Sequence, residues 1–149
     1  MKTGKLRIVF SSVLQDAGEA TRALEIAKGI RQYRPAGWEA ELVFLSRGSR
    51  FERNVLENDF SLYLCLPRLA GQGFHADLKP SAIDFIGDRE LAVAILAGEI
   101  QALNALEPDV VIHGFWPIAS LARRMLKRVV PGIHYLPIPS GKMPSDCNG

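Results

Sequence analysis

Apolar positions change their period several times along the chain, and each change marks an element. Residues 6–10 (LRIVF) form a short β-branched and aromatic run between polar residues, which predicts a strand. From Ala20 the apolar residues Ala23, Leu24, Ala27 and Ile30 recur at three- and four-residue steps, the stripe of a helix that Pro35 and Gly37 stop. Residues 40–46 (AELVFLS) read as a second strand, 50–59 as a short helix, and 61–67 (SLYLCLP) as a third strand ending at proline. Residues 68–88 hold three glycines, Pro80 and little periodicity, so a long loop is expected there. Asp88 is a candidate N-cap for the longest helix, which Pro108 closes. Residues 109–115 (DVVIHGF) give a fourth strand. A helix with Pro117 in its first position follows, with Ile118, Leu121, Ala122, Met125 and Val129 along one side. Residues 132–139 (GIHYLPIP) give a fifth strand, and 140–149 a tail without apolar anchors, expected to be flexible.

Strands apolar on both faces and alternating with helices imply a parallel sheet covered on both sides. Right-handed crossovers then favour an α/β, doubly wound (Rossmann-like) sheet of strand order 3-2-1-4-5, one domain over residues 1–139. Ligands of such a sheet bind beyond the carboxyl ends of the strands, where the order reverses between strands 1 and 4. The loops after Phe10 and after Ile112 are therefore the ones to read for function.

Composition narrows the classes. The chain has 149 residues, 48% hydrophobic and 23% charged, enough apolar content to bury a core. Its 18 basic and 16 acidic residues leave +2, with no basic face that would indicate nucleic acid; the run RRMLKR reads as the solvated end of a helix. Cys65 and Cys147 make no C-x-x-C spacing, so no metal is expected. The basic N-terminus carries an apolar stretch too short for a secretory signal or a membrane span, and a cytoplasmic protein is expected.

The first loop, SSVLQDAGEA, lacks the three glycines of a dinucleotide fingerprint, and SGK at 140–142 leads into no helix. It offers instead Gln15, Asp16, Gly18 and Glu19 ahead of a helix N-terminus, where the dipole favours acidic groups whatever their function. The second loop carries His113, Gly114, Phe115 and Trp116. An imidazole at a strand end can serve as a base near neutral pH or as a hydrogen-bonded filler, and Trp116 as core or as a platform for an apolar or sugar ligand. Strands 1 and 4 are neighbours in the expected order, so Glu19 and His113 are expected within reach of each other, the carboxylate raising the basicity of the imidazole. Phe74 and His75 of the long loop would help it close over a ligand.

Taken together, the strand LRIVFSS, the loop glycine followed by x-x-x-Arg-Ala-Leu, the Ala-x-x-Ile helix and the Phe-initiated helix before strand 3 form a recognisable order. With the Pro-Asp-Val-Val strand leading to Trp-Pro and a Leu-Ala helix, nearly the whole chain to about Pro139 resembles the N-terminal, acceptor-binding domain of GT-B-fold, UDP-glycosyltransferase-like enzymes. The resemblance implies transfer of a sugar from a nucleotide-sugar donor to the hydroxyl of a small-molecule or lipid acceptor. It also implies a second, donor-binding domain or a partner chain, without which this chain is inactive, and no cofactor. Where many members carry a basic histidine this chain has Glu19. Where some carry its aspartate partner at the end of strand 4, this chain has Gly114. Glu19 with His113 is then the expected catalytic set, and Gln15, Asp16, Gly18, Phe74, His75, Phe115 and Trp116 the acceptor-binding set. A non-catalytic acceptor-binding or scaffold module of the same fold is the alternative.

Overall fold

A computed structural model of the chain describes residues 4–11, 17–68, 89–114 and 116–135. The long loop at 69–88, the end of the fifth strand and the tail at 136–149, and with them Gln15, Asp16, Phe74, His75, Phe115 and Cys147, lie outside the described residues. The elements run β1 (Lys5–Phe10), α1 (Ala17–Tyr33), β2 (Glu39–Ser46), α2 (Glu52–Glu57), β3 (Ser61–Leu64), α3 (Arg89–Leu106), β4 (Val110–His113), α4 (Pro117–Arg124) and β5 (Gly132–His134). The five strands form one parallel sheet of order β3-β2-β1-β4-β5, as the alternation of elements predicts.

Register explains the two-sided burial. Ile8 pairs with Leu42, and Phe10 with both Phe44 and Ile112. These side chains face one way and pack under Ala20, Ala23, Leu24 and Ala27 of α1 and Val55 of α2. Val9, Val43, Leu45 and Val111 face the other way, against Ala102 and Leu103 of α3 and Ala122 of α4. The Phe10 and Phe44 rings stack at 4.6 Å, and burying each such ring contributes roughly 2–3 kcal/mol. Cys65 belongs to the second core, where burial pushes its thiol up to about 12, so it behaves as a small hydrophobe.

Some boundaries differ from the pattern reading. The first helix begins at Ala17, which brings Gly18 and Glu19 into its first turn. The helix at Pro117 ends at Arg124 rather than running on to Val129. Arg123 Nη1 donates to Val130 O at 2.7 Å and Arg128 to Pro108 O, so the basic run ties the turn into β5. In consequence Leu121, Met125 and Val129 are exposed while Ile118, Ala119 and Ala122 are buried. The described part of the fifth strand is three exposed residues at a sheet edge, not a buried strand.

Candidate functional site

The carboxyl ends of β1 and β4 lie side by side, joined by the Ser11 amide donating to Ile112 O at 2.9 Å. Strand alternation then decides what each residue faces. Ile112 points to the α1 layer and Val111 to the α3/α4 layer, so Gly114 opens toward α1 and His113 toward α4.

On the α1 side, Glu19 reaches the end of β4. A Cβ placed on Gly114 would lie 2.6 Å from Glu19 Oε1 and 2.8 Å from Cε2 and Cζ of Tyr135. A side chain at this position would have to displace the ends of that carboxylate and ring, and both Glu19 Oε1 and the Tyr135 hydroxyl are closed off from solvent. Tyr135 is held at the rim by its amide, which donates to His113 O at 3.1 Å.

On the other side, the His113 ring is buried, stacks on His134 at 4.9 Å, and has Nδ1 3.1 Å from Gly114 O. Burial chiefly, with smaller electrostatic contributions from His134 and Arg123, lowers its pKa against the opposing pull of the Gly114 carbonyl. Its ring is thus neutral near pH 7. The expected Glu19–His113 pairing is corrected here: adjacent residues of a strand end face opposite sides of the sheet, so Gly114, not His113, meets Glu19.

Below the rim lies a charged network that pattern reading did not find. Glu99 of α3 is 2% exposed and Arg47, just beyond β2, 5% exposed. They pair at 3.2 Å. Glu99 also accepts hydrogen bonds from Ser11 Oγ and from the Trp116 side chain. Arg47 donates to Leu66 O at 2.5 Å and to Ile95 O at 2.7 Å. Burial raises the pKa of Glu99, with Ser11, Arg47 and Trp116 pulling it back. The signal in the sequence is a lone carboxylate in the apolar stretch of α3, on the same buried stripe as Ile95, Ala102 and Leu103.

Of the expected site residues within the described set, Glu19 lies on the α1 side of the sheet against Gly114, while His113 and Trp116 lie on the α3/α4 side, Trp116 packing against Ile95 and Ile118, and Gly18 sits exposed in the first turn of α1. Among the described residues no three His, Cys, Asp or Glu side chains group to hold a metal ion, and no helix is long and apolar enough to cross a membrane. A groove of about 600 Å³, lined by Leu6, Ile26, Ile30, Tyr33, Trp38 and Ala40, opens at the opposite end of the strands and is separate from the switch point.

No family model matches the chain, and no curated protein matches it. Among solved structures it is similar to CalG4, the calicheamicin glycosyltransferase, with a TM-score of 0.59 at 16% identity over 89% of this chain. It is also similar to the glycosyltransferase SnogD from Streptomyces nogalater, with a TM-score of 0.48 at 14% identity over 89% of this chain. The chain thus shares the α/β, Rossmann-like fold of part of CalG4. The chain spans about a third of the length of these proteins, 32% of CalG4 and 34% of SnogD.

Proposed function

We propose that this chain is the N-terminal, acceptor-binding part of a cytoplasmic glycosyltransferase that completes its site with a donor-binding domain or partner chain. The observation that carries the reading is the meeting of Glu19 with Gly114. They match the positions at which many members of the resembling family carry a histidine base and some its aspartate partner, and the closeness of Glu19 Oε1 to Gly114 supports the reading. In the proposed reaction the acceptor hydroxyl attacks the anomeric carbon of a nucleotide sugar. The nucleotide leaves with the bonding electron pair, and the hydroxyl proton passes to the Glu19 carboxylate. Gly114 leaves space for that carboxylate, and Trp116 offers an apolar wall to the acceptor. His113, buried on the far face, has a packing role in this scheme.

The test is nucleotide release by the chain mixed with a candidate donor-domain partner. Turnover is expected for the parent and a fall of about 10²–10⁴-fold for Glu19→Gln, the range over which a general base acts. Turnover unchanged in the variant removes Glu19 as the base. Absence of turnover with acceptor still bound favours the non-catalytic binding module, to which the replacement of both usual dyad residues also points.

A further inference from the structure

Glu99 and Arg47 are buried in a part of the molecule where charge is expensive. A buried pair of this kind often contributes little to stability, because desolvation offsets the attraction. What sets this pair apart is where its bonds go. Glu99 holds Ser11, the residue at the end of β1 from which the chain leaves toward α1, and Trp116, the residue that caps α4. Arg47 holds the carbonyl of Leu66 beyond β3 and of Ile95 in α3. The pair therefore reaches the ends of β1, β2 and β3 and the entry to α4 at once.

We infer that Arg47 and Glu99 are positioning residues of the switch-point crevice, fixing the departure of both of its loops so that Glu19 and Trp116 keep their places at the rim. The geometric part stands on the hydrogen bonds alone; its consequence for catalysis rests on the proposed transferase reading. Glu99 acts through Ser11 and Trp116, and Arg47 acts through its pairing with Glu99. A low-dielectric interior strengthens each of these bonds.

Hydrogen exchange on the full chain tests this without any assay of transfer. The double variant Glu99→Leu with Arg47→Met removes both charges together, the change that a fold tolerates best. It is expected to remain folded and to accelerate exchange at the amides of Gly18–Ala20, Trp116, Ile118 and Ala119 by about tenfold, with those of Val9 and Val43 unchanged. Equal acceleration at all of these amides, or none at the rim, overturns the inference. Should the double variant fail to fold, Ser11→Ala and Trp116→Phe each remove one tie and keep the charge pair. Ser11→Ala is expected to loosen only the α1 side and Trp116→Phe only the α4 side; rim amides unchanged in both overturn the inference as well. In the reconstituted enzyme, Ser11→Ala is expected to lower kcat with little change in acceptor KM, where a merely structural role would lower the active fraction alone. If the parent shows no transfer, the functional reading fails while the exchange result still decides the positioning role.

Discussion

At the scale of single residues, the carboxyl end of β4 illustrates how one step along a strand changes chemistry. Gly114 and His113 are neighbours in sequence, yet one faces a carboxylate and a tyrosine ring and the other a histidine and an arginine. His113 consequently links stability to pH. Burial chiefly, with smaller electrostatic contributions from His134 of β5 and Arg123 of α4, depresses its pKa below the usual 6.5, and the Gly114 carbonyl only partly offsets this. The unfolded chain then takes up a proton at a higher pH than the folded one. The stability that His113 contributes is fully present above pH 6.5 and is lost as pH falls through the depressed folded value. The melting temperature is expected to decline over that interval, and His113→Gln is expected to flatten the decline. Parallel thermal melts of parent and variant between pH 5 and 8 read it directly; identical slopes would remove His113 as the source.

At the scale of elements, two helical glycines should respond in opposite directions to the same substitution. A Cβ on Gly98 of α3 would collide with the backbone carbonyl of Leu66, whereas one on Gly29 of α1 meets nothing within 4 Å. Alanine gains about 1 kcal/mol over glycine in a helix interior, but overpacking against an immobile backbone costs about 1–3 kcal/mol. Gly29→Ala is thus expected to stabilise by about 0.5–1 kcal/mol and Gly98→Ala to destabilise by about 1–2 kcal/mol, read from urea midpoints. The same two helices mark what sequence can convey about elements. The stripe on α1 and its stop at Pro35 follow from local periodicity, and so does the close of α3, where Glu107 adopts φ 48° just before Pro108. The end of α4 does not follow from it. Met125 and Val129 continue the apolar pattern, and only the carbonyl ties made by Arg123 and Arg128 show that the chain turns there.

At the scale of the whole molecule, strand order was legible because it follows from alternation and crossover handedness, which need no knowledge of contacts. The meeting of Glu19 with the end of β4 was legible to within one residue, since topology places strand ends but not the faces their side chains take. The Arg47–Glu99 network was not, because its partners lie 52 positions apart and hydropathy scores each position alone. The order also sets a gradient of stability across the sheet. β1 is bonded on both sides, to β2 and to β4, whereas among the described residues the three exposed residues of β5 pair only with β4. Backbone groups on the free side of an edge strand also offer a place for another strand to add. Native-state exchange is therefore expected to show Val9 and Phe10 opening only with global unfolding, and Ile133 and His134 opening locally with much lower protection. Protection at Ile133 equal to that at Val9 would contradict an open edge and would mean that further chain covers β5.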